Sequence, residues 1–105
     1  MSQKVEETLN RIKTHKGVLG VIIVNSKGVS LRSTMNMNDT IEYGSLISSF
    51  ANNASRQIKE NLHEDEEIVF IRIRSKKHEI MIAPDKDFSM IVLQNPSNDV
   101  QAESQ

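Results

Sequence analysis

The stretch Phe70–Pro96, FIRIRSKKHEIMIAPDKDFSMIVLQNP, carries most of the information about the fold. Together with the apolar residues before it, this stretch divides into three β-prone segments separated by two short polar turns. The segments are Ile68–Ile73, His78–Ala83 and Phe88–Leu93, and the turns are residues 75–77 and 84–87. Because the turns are short and rich in Ser, Lys, Pro and Asp, the pattern predicts an antiparallel meander.

Two further strands are predicted nearer the N-terminus. Val18–Val24 is apolar on both faces, which is typical of an interior strand covered on both sides. Asn25-Ser26-Lys27-Gly28 then turns the chain, and Val29–Thr34 alternates apolar and polar residues as a strand nearer a sheet edge does. The two strands are therefore expected to form a hairpin.

A short helix is predicted before this hairpin. Val5, Leu9 and Ile12 follow the i, i+4, i+7 spacing of one helical face, and Ser2 is a suitable N-cap. Gly17 is expected to stop the helix.

A long helix is predicted from Asp39, which with Glu42 resembles a capping box, to about Leu62. Its apolar residues cover an arc of roughly 160°, wider than a single buried stripe, so the helix is expected to cover two surfaces. These residues are Tyr43, Leu46, Ile47, Phe50, Ala51, Ala54, Ile58 and Leu62. Small residues also share one flank, which is either a close contact with another helix or a partly exposed edge; they are Gly44, Ser48, Ala51 and Ser55.

The element order predicts an α+β fold with one antiparallel sheet and helices packed on it. We expect a single domain over residues 1–96 and a flexible C-terminal tail over residues 97–105. The most apolar strands, Val18–Val24 and Phe88–Leu93, should be central, with Val29–Thr34 and Ile68–Arg74 at the edges. The second edge is long and apolar, and a second copy of the chain would cover it.

Composition limits where the chain acts and what it binds. The 105 residues include no cysteine, which removes disulfides and thiolate metal sites, and the formal charge is −1. The charged N-terminal residues lack the apolar core of a signal peptide, and no stretch is long enough to span a membrane. We therefore expect a cytoplasmic protein without membrane insertion, and the near-neutral charge argues against nucleic-acid binding.

No catalytic, cofactor or metal motif is visible, so we expect a non-enzymatic protein without a cofactor. His15, His63 and His78 lack a second ligand at helical metal-site spacing, and neither a phosphate-binding loop nor a Gly-x-Ser-x-Gly elbow occurs. Residues 72–78 form a basic cluster that could contact RNA or an acidic membrane. The more conservative interpretation is that its arginines are solubilising charges beside the apolar edge.

The stretches VEETLNRIKTHKGVLGVIIVN, GVSLRSTM and FIRIRSKKHEIMIAPDKDFSMIVLQNP resemble the roadblock family of dynein light chains. The resemblance implies a roadblock/profilin-like domain with a five-stranded sheet and two packed helices. It also implies a homodimer, or a heterodimer with a close paralogue, in which the long helices pair and the third strands join the two sheets. On that basis the dimer interface is predicted at Gly44, Ile47, Ser48, Ala51, Ser55, Ile68, Val69, Phe70, Ile71 and Arg72.

The same resemblance implies a function. On this resemblance, the chain is expected to be a non-catalytic accessory light chain of a dynein motor complex. It would bind the dynein intermediate chain, act in minus-end-directed microtubule transport and be associated with the cytoskeleton. Residues 52–67 are more polar and acidic than expected of the family, so an axonemal variant with a different intermediate chain is a further hypothesis. The alternative is a roadblock-fold adaptor or regulator that docks small GTPases.

Overall fold

Seven elements follow one another in the computed structural model, which describes residues 3–96. They are α1 (Gln3–Lys13), β1 (Val18–Asn25), β2 (Ser30–Ser33), α2 (Met37–Asn61), β3 (Ile71–Arg74), β4 (Glu79–Pro84) and β5 (Phe88–Gln94). This order confirms the α+β prediction of helix, two strands, helix and three strands. The predicted Ser2 cap and the predicted tail, residues 97–105, lie outside the described residues.

The five strands form one antiparallel sheet in the order β2-β1-β5-β4-β3. The two most apolar strands, β1 and β5, lie side by side in its interior, and β2 and β3 are its edges, as predicted. Ile91 of β5 is aligned with both Ile22 of β1 and Ile82 of β4. These three side chains therefore lie in one row across the sheet and are essentially fully buried.

The helices pack on opposite faces of the sheet. On one face, α2 contributes Ile47 and Ala51 to a core with Ile22, Val24, Ile82, Ile91 and Leu93. On the other face, α1 contributes Val5 and Leu9 to a core with Val21, Ile23 and Val92. Because successive side chains of a strand point to opposite faces, β1 has to be apolar at every one of these positions.

The turn between β1 and β2 is held by a side chain. The Asn25 side-chain oxygen accepts hydrogen bonds from the backbone N–H groups of Lys27 (2.9 Å) and Val29 (3.0 Å). Gly28 has a φ of 84°, a backbone conformation that is unfavourable for residues with a Cβ. The predicted turn is thereby confirmed, with Asn and Gly each in a role specific to that residue type.

The start of α2 differs from the prediction. The N-cap is Asn36, whose side-chain oxygen accepts from the backbone N–H of Asp39 (2.8 Å), while its amide donates to the Asp39 carboxylate (3.1 Å). Thr40, in the first turn, is buried, and its hydroxyl lies 2.7 Å from that of Ser33. This contact with the end of β2 ties down the first turn. The helix begins at Met37 and is capped by Asn36, so the predicted cap at Asp39 was wrong.

The strand β3 is also shorter than predicted. It begins at Ile71, which is aligned with Ile82 of β4, rather than at Ile68. Continuing that register would place Val69 opposite Pro84, which has no N–H to donate to a neighbouring strand. Residues 68–70 consequently leave the sheet, although their side chains are β-prone and apolar.

Candidate partner-binding surfaces

The small-residue flank of α2 faces the chain's own sheet. Gly44 and Ala51 of this flank are buried, as is the neighbouring Ile47, and a Cβ added to Gly44 would lie 3.5 Å from Cγ1 of Val24. Gly44 therefore allows the helix to approach β1 closely. In the single chain its own core covers these three side chains, and their assignment to a dimer interface stays a prediction.

The two serines of the predicted flank are half-buried at the edge of this contact. Ser48 lies beside the β1–β2 turn, where a Cβ added to Gly28 would be 3.4 Å from the Ser48 Cβ. Within the described part of the chain, the Ser48 hydroxyl oxygen is buried without a hydrogen-bond partner. Ser55 lines a crevice that also includes Lys59 and Phe88. Neither residue presents an apolar surface to a partner.

A different flank of α2 is apolar and exposed. Leu46 is 63% exposed and Phe50 is 47% exposed, although they lie one helical turn apart on a well-formed helix. Half-buried Tyr43 and Ala54 lie on the same side at helical spacing. We call these four residues the α2 outer face. One apolar surface of α2 is therefore buried on the sheet and the other is exposed, and the expectation that α2 covers a second surface stays a prediction.

The edge strand β3 is the second candidate surface. It pairs only with β4, and no strand of residues 3–96 pairs with its other side. Before it, Ile68 is half-buried, whereas Val69 is 78% exposed and Phe70 is 51% exposed. Ile71 is half-buried beneath α2, and Arg72 projects to the α1 face. An open edge next to exposed apolar side chains is a surface that proteins usually cover.

A buried carboxylate supports β3. Glu79 is 2% exposed, and one of its oxygens accepts hydrogen bonds from Arg72 of β3 (2.9 Å) and Gln94 of β5 (2.7 Å). The hydrogen bond from Arg72 lowers the pKa of Glu79, burial opposes that shift, and the hydrogen bond from Gln94 adds to it. The carboxylate therefore stays ionised and bonded, as suits a group that joins strands β3, β4 and β5.

Residues 3–96 contain no group of three or more His, Asp or Glu side chains positioned to hold a metal ion. His15, His63 and His78 are all exposed and lie in separate turns or connections. No helix in the same range is long and apolar enough to cross a membrane.

The comparisons with known proteins agree with this architecture. The family model described as the Roadblock/LC7 domain matches residues 4–95, which is nearly all of the chain. The chain belongs to the Roadblock/LC7 domain family. The family and the fold that the sequence resemblance implied are thereby confirmed.

Solved structures share the roadblock fold at low sequence identity. Myxococcus xanthus MglB is 14% identical with a TM-score of 0.75, covering 97% of this chain and 88% of its own. A Roadblock/LC7 domain from Streptomyces avermitilis is 6% identical with a TM-score of 0.73, and the match covers 85% of this chain and 73% of the Streptomyces chain. The gliding protein MglB from Thermus thermophilus is 12% identical with a TM-score of 0.71, and the match covers 97% of this chain and 81% of the Thermus chain. At these identities the likeness extends to the fold alone.

Proposed function

We propose that this roadblock domain is a non-catalytic adaptor that dimerises and holds a protein partner inside the cell. The observation that carries the proposal is the exposed α2 outer face, where Leu46 and Phe50 leave large apolar side chains in water on an otherwise folded helix. A two-fold interface that included this face and the β3 edge would cover both surfaces at once. One MglB structure is described as having a tetrameric arrangement, which supports self-association in a protein of this fold.

The first candidate partner is a small GTPase. The wider roadblock superfamily includes modules that dock small GTPases, and the fold is shared with MglB proteins from two bacteria. An adaptor of this kind acts through geometry, because a dimer offers composite surfaces that a monomer lacks. No catalytic group of this chain is required for that role.

The second candidate partner is the dynein intermediate chain, with the chain serving as a dynein light chain in microtubule transport. A specific feature favours it: the run RIRSKKHEIMIAPDKDF, residues 72–88, resembles dynein light chains in particular. The run includes the hairpin β3–β4 and the start of β5. In the axonemal form of this hypothesis, the polar residues 52–67 would alter which intermediate chain is bound.

The experiment that tests the proposal has two stages. Size-exclusion chromatography with light scattering measures the mass of the chain, and we expect a dimer; a monomer at micromolar concentration would contradict the proposal. Immobilised dimer is then offered a small GTPase loaded with GDP or a GTP analogue, or a dynein intermediate-chain segment. Nucleotide-dependent capture of the GTPase supports the first candidate, and capture of the segment alone supports the second.

A further inference from the structure

A groove runs along the α1 side of the sheet. The helix α1 packs through Val5 and Leu9 on β1, and the sheet surface beyond it is left partly open. Two adjoining clefts of about 250 and 500 Å³ occupy that space and share the residues Ile12, Ala83 and Met90. We call the two clefts together the α1 groove. It follows β4 and β5 from Gln94 at one end of the sheet to residues 84–88 at the other.

The lining of the α1 groove is apolar and adaptable. Met81 and Met90 are half-buried on its floor, Ala83 is exposed, and Phe70 forms a wall while remaining 51% exposed. Methionine side chains are flexible and polarisable, so they accommodate different apolar side chains. A groove over the face of a sheet offers no strand edge for an extended peptide, whereas a helix satisfies its own backbone hydrogen bonds.

One end of the α1 groove is strongly basic. The strand registers place Val18 opposite Gln94, Gln94 opposite Glu79, and Glu79 opposite Arg74, so these positions share one end of the sheet. The turns at this end carry Lys16, Lys76 and Lys77, all exposed. We call this end, with Arg72 and Arg74, the basic end.

Within residues 3–96, few acidic groups lie near the basic end. Among residues 13–18, 72–79 and 94–96, the sole carboxylate is that of Glu79, which is buried and already bonded to Arg72. The acidic residues 64–67 and the turn 84–87 belong to the opposite end, where Glu67 and Asp85 line one crevice. The described part of the chain is therefore polarised, although the formal charge of the full chain is only −1, and the basic end favours an anionic ligand.

We propose that the α1 groove binds an amphipathic helix of a partner protein, with apolar side chains on Met81, Ala83 and Met90 and acidic side chains toward the basic end. Charge complementarity selects this occupant, since an apolar groove that ends in a cluster of lysines and arginines matches an apolar stripe flanked by Asp and Glu. The inference rests on the proposed function in one respect, that the chain is a binding module, and it names the chemistry of the bound segment.

Fluorescence anisotropy with the full chain tests the groove. The probe is a labelled synthetic helix with Leu at i, i+4, i+7 spacing and Glu on both flanks, and its matched control has Gln at every Glu position. We expect the Gln probe to bind about tenfold more weakly at low salt. Equal binding of the two probes would overturn the proposal.

Variants locate the site. The double variant Lys76→Glu/Lys77→Glu should weaken binding of the Glu probe by about tenfold. Its matched control, Lys27→Glu/Lys86→Glu, makes the same charge change at the opposite end of the sheet and should change the affinity for the Glu probe by less than about threefold. Ala83→Glu fills the groove from an exposed position and should weaken binding by about tenfold. Equal losses in the two lysine pairs, or unchanged binding by Ala83→Glu, would contradict the assignment.

Other occupants give different results. Deletion of residues 97–105 that strengthens probe binding about tenfold would identify the chain's own C-terminal segment as the occupant. Loss of the dimer in Ala83→Glu would identify a second copy. Binding of vesicles containing phosphatidylserine, abolished in the Lys76/Lys77 variant while the Glu probe fails to bind, would identify a membrane. Each of these results overturns the proposal. Light scattering on the same samples separates failure of the groove from failure of dimerisation.

Discussion

Replacement of two exposed apolar side chains of α2 by glutamine, in the variant Leu46→Gln/Phe50→Gln, is predicted to weaken the proposed dimer without unfolding the chain. Complete burial of a Leu or Phe side chain is worth about 1.5–3 kcal/mol. Because Leu46 is 63% exposed and Phe50 is 47% exposed, burying the exposed part of each side chain in the interface is worth roughly 1 kcal/mol. A two-fold interface contains each residue twice, so the dimer should lose about 4 kcal/mol.

This loss corresponds to an increase of roughly two to three orders of magnitude in the dimer Kd. Sedimentation velocity over a concentration series measures the Kd, and circular dichroism checks that each variant remains folded. The matched control is Ile41→Gln, because Ile41 is 62% exposed on another flank of the same helix. We expect the control to leave the Kd within about threefold of the parent.

Two results would refute the assignment of the α2 outer face. A Kd that is unchanged in Leu46→Gln/Phe50→Gln would show that the dimer does not use this face. A Kd raised equally by Ile41→Gln would show that any lost surface apolarity has the same effect. In either case the apolar side chains before β3, Val69 and Phe70, become the remaining candidates for the contact.

Three further predictions concern the stability of the domain, measured by urea unfolding. Arg72→Ala should lower the free energy of unfolding by about 1–2 kcal/mol at pH 7, because it leaves the buried Glu79 carboxylate without its charged hydrogen-bond donor. The loss is not larger because Arg72 is half-exposed, so water partly screens its interaction with Glu79. The lowered pKa of Glu79 means that this stabilisation is present above the unfolded-state pKa near 4.5 and is lost as pH falls through the folded-state pKa; an equal cost in acid would contradict it. Asn36→Ala should cost about 1 kcal/mol by removing the α2 N-cap, and no loss would point to a cap elsewhere. Ala51→Glu should unfold the chain by burying a charge in its own core; a folded monomer would instead return Ala51 to the dimer interface.

The strands and turns were largely predictable from the sequence because their signals are local. β1 is apolar on both faces, and this pattern indicates an interior strand without reference to the rest of the chain. Asn25 and Gly28 likewise indicate their turn, since a side-chain hydrogen bond and a positive φ are properties of single residue types. The family resemblance was carried by the same stretch, residues 70–96, and the match of the family model supports it.

The sequence could not decide which face of α2 meets the chain's own sheet. The sequence indicated that α2 has a wide apolar arc and a small flank, but helical periodicity is the same whether a face meets the chain's own sheet or a partner. Only the position of β1, with Val24 beneath Gly44, decides that Gly44 and Ala51 are buried and that Leu46 and Phe50 are exposed. The wide apolar arc of α2 was the sequence signal that could have identified Leu46 and Phe50 as a second, exposed surface.

The sequence by itself determined the order and type of the helices and strands, the interior strands and the family, because each depends on periodicity or on the properties of single residues. Tertiary structure decided where β3 begins, which carboxylate is buried and which side of α2 is left open. The physical reason is that a hydrogen-bond partner or a covered surface is supplied by residues distant in sequence. Pro84, which cannot donate a hydrogen bond to continue the pairing with β3, and Arg72 and Gln94 around Glu79 are examples.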